Sequence, residues 1–315
     1  DLLEYKVSAA IARTLVQKGL AEVGQKRILR NSYVNPQKRG ELFTLTDEQA
    51  IALEKINASV SQRDGKTFLL QGITGSGKTE VYIRAAAKAV EDGKQVLMLV
   101  PEIALTAQLV KRFKAWFGDE VAVAHSKLSQ NERGDVWYKM HTHQANILIG
   151  VRSAVFAPFE NLGLIIIDEE HETSYKQDER PNYHARNVAL ERARLTGAPL
   201  ILGSATPDLE SYHKAITGEY EHLRLTKRAT GSELPTVEIV DMRKELAERN
   251  FSVLSRKLKQ ALVTTASEGE QAIVLLNRRG YSTFVMCRDC GASIACPHCA
   301  VALVYHSAGE AMRCH

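Results

Sequence analysis

Between residues 45 and 226, short apolar runs alternate with stretches whose apolar residues recur every three to four positions. The runs fall at 66–71, 95–100, 121–125, 146–150, 162–168 and 199–204. They are too short for buried helices and lack in–out alternation, so they suit strands covered on both faces. The intervening segments, such as EVYIRAAAKAVEDG (80–93) ending at Gly93, carry helical spacing. Strand and helix in alternation predict βαβ units and an α/β fold with a parallel sheet.

The flanks carry different patterns. SAAIARTLVQKGL (8–20) predicts an amphipathic helix with Ile11, Leu15 and Leu20 on or near one face. AEVGQKRILRNSY (21–33) alternates like two short strands around Gly24, so residues 1–35 resemble the last half of a winged-helix module. Polar, Pro/Gly-containing stretches at 36–44 and 228–235 read as linkers. Beyond the second linker, TVEIVDM (236–242), SRKLKQALVTTAS (255–267) and QAIVLLN (271–277) predict strand, helix and strand, the start of a second α/β lobe over 236–286.

Composition narrows the class. At 315 residues, 44% hydrophobic and 25% charged, the chain has the length of about two globular domains. No apolar run approaches the roughly 20 residues of a membrane span, and no signal peptide is visible. The first residue is not Met, so a fragment is expected. Net charge is +4, and residues 1–40 hold eight Lys/Arg against three Asp/Glu, which leaves the remaining chain nearly neutral. A basic N-terminal end suits a polyanion. All five cysteines lie after residue 286, a clustering that points to metal and to an intracellular, cytoplasmic setting.

Chemistry enters at GITGSGKTEVY (72–82). Gly72-Ile73-Thr74-Gly75-Ser76-Gly77-Lys78-Thr79 satisfies G-x-x-x-x-G-K-[ST] at every fixed position. Glycines let loop N–H groups turn toward phosphate, Lys78 reaches the β- and γ-phosphates, and Thr79 offers its hydroxyl to Mg²⁺. A helix starting near Lys78 adds the positive end of its dipole. Downstream, LGLIIIDEEH (162–171) ends an apolar run in carboxylates. Asp168 would support the Mg²⁺ shell and Glu169 would orient or deprotonate water, with His171 beside them. In GSATP (203–207), Ser204 and Thr206 could sense the γ-phosphate, and Thr206 could equally cap a helix with Pro207 at its first position. VPEIALTAQ (100–108), HSKLSQNER (125–133) and GVRSAVFAPF (150–159), with Arg152, follow other predicted strands and offer phosphate-backbone contacts.

In this order LTDEQ, GITGSGKTEVY, VPEIALT, GVRSAVF, DEEH and GSATP resemble a superfamily 2 helicase motor of the DEAH-like kind. SYKQDERPNYHARNVA (174–189), NRRGY (277–281) and the cysteine cluster resemble the PriA family of bacterial primosomal replication-restart helicases. The resemblance covers essentially the whole chain. It implies a P-loop RecA-like motor lobe at 45–227, preceded by a partial winged helix and followed by the start of a second RecA-like lobe. It also implies ATP-dependent 3′-to-5′ unwinding, binding of forked, single-stranded or double-stranded DNA, and work with primosome proteins and single-stranded DNA-binding protein in the nucleoid. Gln49 matches the adenine-reading glutamine of the superfamily. Tyr175, Tyr183, His184 and Arg186 match the aromatic-rich loop that couples DNA to hydrolysis, and Arg278 and Arg279 of NRRGY are implied to take part in the same DNA coupling. Pro181 stands where some relatives carry Trp. The arginine-bearing motifs that close on ATP from the other lobe are not in this sequence, so ATP–Mg²⁺ binding with weak hydrolysis and no unwinding is expected of the chain alone. Another superfamily 2 double-stranded DNA translocase, or a non-catalytic DNA-binding scaffold, are the alternatives.

Cys287, Cys290, Cys296 and Cys299 form two C-x₂-C knuckles five residues apart, and Cys314 follows. On spacing, the simplest site takes Zn²⁺ on the first four. The family instead has eight cysteines in two interleaved zinc sites. By that resemblance Cys296 and Cys299 join Cys314 and a cysteine past His315, and Cys287 and Cys290 join a later knuckle. Both sites are then incomplete here, leaving room for His298 or His315.

Overall fold

The structure is a computed structural model that describes residues 9–22, 44–102, 107–229, 235–250, 252–275, 292–299, 301, 303–306 and 311–314. The chain divides into two compact units, Asp1–Glu233 and Leu234–His315.

In the first unit, helix α1 (Ala9–Gln17) occupies the predicted N-terminal helix, while residues 23–33 of the expected hairpin lie outside the described residues. Helix α2 (Asp47–Gln62) begins on a reciprocal cap: Thr46 Oγ1 accepts from the Gln49 N–H, and Gln49 Oε1 accepts from the Thr46 N–H. There follow β1 (Thr67–Gly72), α3 (Lys78–Glu91), β2 (Gln95–Leu99), α4 (Ala107–Phe117), β3 (Val121–Ala124), α5 (Gln130–His141), β4 (Ile147–Gly150) and β5 (Leu162–Asp168). A two-residue hairpin, β6 (Lys176–Gln177) and β7 (Tyr183–His184), leads into α6 (Ala185–Thr196). Then come β8 (Leu200–Ser204), α7 (Leu209–Ile216) and β9 (Glu221–Leu225).

Seven strands form one parallel sheet in the order β3-β4-β2-β5-β8-β1-β9. The apolar runs are buried on both faces because alternate residues enter two cores. Phe68, Leu70, Met98, Ile166 and Ile201 pack with Ile83 of α3 and Phe113 of α4. Leu69, Leu97, Ile165, Ile167 and Leu202 pack with Met140 of α5 and Ala189 of α6. All six predicted strands are present within a residue or so of their expected ends. The seventh, β9, reads EHLRL, and its alternation of polar and apolar residues fits a sheet edge.

Strand order positions the site. β8 lies between β5 and β1, with Asp168 opposite Gly203 and Ser204 opposite Gln71. The C-terminal ends of all three strands therefore meet at one edge, where α/β sheets place ligands.

The second unit contains α8 (Met242–Ala247), α9 (Arg256–Ser267) and an antiparallel pair, β10 (Val304–His306) with β11 (Ala311–Arg313). α9 matches the predicted helix, and Ser255 Oγ caps it by accepting from the Leu258 N–H at 3.0 Å. The strands expected at 236–242 and 271–277 do not form in the described residues. Ile239 and Ile273 are almost wholly exposed there, because no neighbouring strand among the described residues offers a ladder. No helix of the described residues is long and apolar enough to cross a membrane.

Candidate functional site

The loop between β1 and α3 is held from several sides. Gly75 and Gly77 take φ of +83° and +81°, left-handed values that a side chain resists. A Cβ on Gly77 would also overlap the Gln49 side-chain amide, and one on Gly72 would crowd Ser76 Oγ. Gln49 Nε2 donates to Ser76 O at 2.8 Å, Ala229 N donates to Gly75 O at 2.9 Å, and Ile73 N donates to Leu225 O at 3.3 Å. Glu48 accepts from both the main chain and the hydroxyl of Thr226, at 2.7 and 2.5 Å. The stretch after β9 thus runs along the loop, a contact the linker-like sequence at 228–235 does not announce.

Lys78 opens α3 and donates from Nζ to Gly72 O at 2.9 Å, folding over the loop it serves. Thr79 is half-buried beside it. Ser76 Oγ is buried without a protein partner. An unused buried hydroxyl, a lysine and a helix N-terminus at one glycine-lined turn fit a phosphate chain. Gln49 is 2% exposed, and its amide accepts from Thr46 and donates to Ser76, so it holds the loop in place.

β5 delivers the carboxylates. Asp168 Oδ1 accepts from the Tyr82 hydroxyl at 2.9 Å, and Asp168 O accepts from the Tyr175 hydroxyl at 2.6 Å. Burial raises Asp168 above the ordinary carboxylate range, against the pull of the Tyr82 hydrogen bond and the Lys78 charge. Burial, and then the Asp168 charge, raises Glu169 as well. Two acids that resist ionisation side by side suit a site that gains from a bound cation. Glu169 holds φ at +47°, a left-handed conformation for a residue with a side chain. Such positions cost about 1–3 kcal/mol and concentrate at active sites. Burial and these same acids push the Tyr82 and Tyr175 phenols well above the ordinary tyrosine value, so both remain donors.

His171 Nδ1 lies 2.8 Å from Ser204 Oγ, which accepts from the Thr206 N–H at 3.0 Å. His171 also approaches Glu169 at 3.7 Å. Ser204 is fully buried and therefore links two motifs rather than standing open to ligand. The helix after it starts later than expected: α7 begins at Leu209 with Asp208 as its cap residue, so Thr206 does not cap it.

In the sequence nothing sets Glu170 apart from its acidic neighbours. It is 1% exposed and accepts from the Asp208 N–H at 2.8 Å, Ser211 Oγ at 2.9 Å and Arg186 Nη1 at 2.9 Å. Arg186 also pairs with Asp208 at 2.9 Å and Glu210 at 3.1 Å. The Arg186 guanidinium is therefore taken up by an internal network rather than open to a DNA phosphate. Tyr175, 1% exposed under Asp168, does not present a ring for base stacking either. Tyr183 is half-buried and meets the half-exposed Phe156 edge-on at 4.9 Å. His184 caps α6, its Nδ1 accepting from the Arg186 N–H at 3.2 Å, and burial lowers its pKa. Arg152 donates to Ser174 O at 3.2 Å and to Lys176 O, tying its own loop to the stretch after β5.

Arg152, Ser126, Glu102, Arg133, Gln177 and Tyr183 border a cleft of about 340 Å³ along the C-terminal edge of the sheet. A larger cavity, about 1000 Å³, opens instead beside the starts of β1 and β9. Two of its charge pairs are internal, Arg194 with Glu191 and Lys66 with Asp64, and none of the predicted site residues lines it.

In the second unit the sulfur atoms of Cys296, Cys299 and Cys314 converge within 4.8 Å of one another. Cys299 Sγ lies 3.3 Å from Cys314 Sγ. Main-chain hydrogen bonds from His298 and Cys299 lower the Cys296 thiol, while the two neighbouring sulfurs push Cys314 up to about 12. Three soft donors at one point fit Zn²⁺. Cys287, Cys290, Arg278 and Arg279 lie outside the described residues.

A parallel sheet that brings a phosphate loop, an acidic strand end and a Ser-Ala-Thr turn to one edge defines the nucleotide-binding lobe of a motor protein. The DEAD/DEAH box helicase family matches residues 46–215, more than half of the chain, and the chain belongs to that family. The PriA DNA helicase Cys-rich region (CRR) domain matches residues 296–315. Replication restart protein PriA of Bacillus subtilis (strain 168) is 50% identical over 98% of this chain and 38% of its own length. PriA of Synechocystis sp. is 44% identical over the full chain and 39% of its own length. The chain thus spans about two fifths of the length of these relatives. Among solved structures, RecG bound to a three-way DNA junction is 25% identical, with a TM-score of 0.44 over 62% of this chain and 25% of that one.

Proposed function

We propose that this chain is the ATP-binding motor portion of a DNA-dependent ATPase and 3′-to-5′ helicase acting in replication restart. The observation that carries the reading is the meeting of Lys78, Asp168, Glu169 and the His171–Ser204 pair at the ends of β1, β5 and β8. Residues 45–227 are then the ATP-binding lobe, 236–286 the start of its partner, and 1–35 a winged-helix remnant. Lys78 neutralises the β- and γ-phosphates, while Gly72, Gly75, Ser76 and Gly77 bring loop groups to them. Thr79 and Asp168 hold Mg²⁺, which when bound neutralises charge building on the phosphates. Glu169 orients or deprotonates the attacking water, and His171 passes its state through Ser204 to Thr206 and α7.

DNA, forked or single- and double-stranded, is the partner in this reading. On this lobe its contacts are Arg152 and Tyr183, which border the 340 Å³ cleft, together with His184; Arg278 and Arg279 are further DNA-coupling residues. The name shared by the relatives supports replication restart. Primosome proteins and single-stranded DNA-binding protein, in the cytoplasm at the nucleoid, are the partners that the family resemblance implies. Tyr175 and Arg186 couple from inside, through Asp168 and Glu170. The Zn²⁺ ligands are Cys296, Cys299 and Cys314 in one site, with Cys287 and Cys290 in a second. Spanning two fifths of its relatives, the chain alone binds ATP–Mg²⁺, hydrolyses it weakly and does not unwind.

The test is ATP hydrolysis by this chain and by the full-length protein, each with no DNA, forked DNA or linear duplex. Fork-preferred stimulation in the full-length protein supports the reading. Equal stimulation by linear duplex points to a general translocase, and nucleotide binding without turnover in either protein points to a scaffold.

A further inference from the structure

One buried side chain reaches the metal-side carboxylate from within the lobe. Tyr82 lies one turn into α3, is fully buried, and donates its hydroxyl to Asp168 Oδ1 at 2.9 Å. Its path crosses β8 at Gly203, the residue opposite Asp168 in the ladder. A Cβ at Gly203 would overlap the Tyr82 hydroxyl and come within 2.9 Å of its ring Cζ. Phenylalanine would fill the same space against the core without burying a polar group. A hydroxyl kept in an apolar core is costly unless its hydrogen bond is made, and here the acceptor is an Asp168 oxygen.

The carboxylate needs that restraint. The terminal torsion of an aspartate side chain is broad, so an unbound carboxylate swivels. Its two oxygens offer about four acceptor sites, so one can be held while the other serves a ligand. The Tyr175 hydroxyl pins the main chain of the same residue at 2.6 Å, which leaves the side chain as the remaining freedom.

We propose that Tyr82 is a positioning residue for Mg²⁺–nucleotide: it fixes the Asp168 carboxylate through Oδ1 and leaves the other oxygen to the metal's shell, and Gly203 is the residue that admits it. The proposal rests on the ATP–Mg²⁺ reading above. It joins three motifs that sequence separates, the helix after the phosphate loop, the acidic strand end and the Gly203–Thr206 turn. Partners that orient a metal ligand change metal affinity by about 10–100-fold when removed.

The test is the Mg²⁺ dependence of mant-ADP binding by fluorescence, for this chain and its Tyr82→Phe and Lys78→Ala variants. Tyr82→Phe should keep its affinity in EDTA within about twofold while the Mg²⁺ concentration at half-saturation rises about tenfold. A loss of packing alone would weaken binding with and without Mg²⁺ alike. An unchanged Mg²⁺ midpoint in Tyr82→Phe, with Lys78→Ala binding lost, would overturn the positioning role and leave the nucleotide site standing. A wild type without Mg²⁺-dependent binding would overturn both. Should Tyr82→Phe unfold, Gly203→Ala displaces the same hydroxyl from the other side, and its Mg²⁺ midpoint decides on the same terms.

Discussion

Glu170 Oε2 accepts from Arg186 Nη1 at 2.9 Å, and through this pair the acidic strand end is fastened to α6 and to the start of α7. Glu170 has no exposed side-chain surface, so its charge depends on Arg186 together with Ser211 and the Asp208 N–H. Removing one partner of a buried pair strands the other in low dielectric and costs about 3–5 kcal/mol. Arg186→Met should lose stability of that order in urea denaturation at pH 7. Glu170→Gln added to it should recover part of the loss. A loss under about 1 kcal/mol would mean the pair behaves as a surface one.

Gln49 fastens the phosphate loop through Ser76 O. Gln49→Ala removes the hydrogen bond to Ser76 O and half of the reciprocal cap with Thr46. Nucleotide affinity should fall about tenfold, the size of one such bond. The preference for ATP over GTP should not move, because the amide is committed to protein. Titrations with both nucleotides check this, and a change in preference would restore the adenine-reading role.

The two raised acids give stability a sign with pH. Folded protein keeps protons on Asp168 and Glu169 at pH values where the unfolded chain has released them. Stability is therefore complete below the ordinary carboxylate range and declines as pH climbs through the raised values. Asp168→Asn removes one charge and keeps an acceptor for Tyr82. Its Tm should exceed that of wild type at pH 7, with the gap closing as pH falls to about 4. Thermal melts across that range decide it; a gap that ignores pH would mean the acids are not penalised in the fold.

The cysteines allow a choice between two ligand sets. Cys314 converges with Cys296 and Cys299, as the family's interleaved arrangement implies. Cys314→Ser should therefore lower the zinc retained after dialysis, measured by metal analysis of the purified chain. Zinc content equal to wild type would favour one site built from Cys287, Cys290, Cys296 and Cys299.

Much of the lobe is written in local pattern. The run LIIID (164–168) is apolar on both faces and could only be a covered strand, and it is the centre of β5. β9 escaped because EHLRL carries charge at an edge, and the strands read at 236–242 and 271–277 lack a neighbour among the described residues. The phosphate loop and Asp168 announce themselves by residue type. Tyr82 reads as one more apolar helix position, Glu170 as one more acid, and Gly203 as a turn residue. Their connection exists only once β8 lies between β5 and β1. Tyr175 and Arg186 carry the opposite lesson. Their residue types suit DNA, yet the fold buries both side chains.

The central claim is that the edge formed by β1, β5 and β8 is a Mg²⁺–nucleotide site. Calorimetric titration of the chain with ATPγS, with and without Mg²⁺ and beside Lys78→Ala, tests it most directly. The account predicts saturable one-to-one binding that needs Mg²⁺ for full affinity and is lost in the variant. Equal binding by Lys78→Ala, or none by wild type, would contradict it.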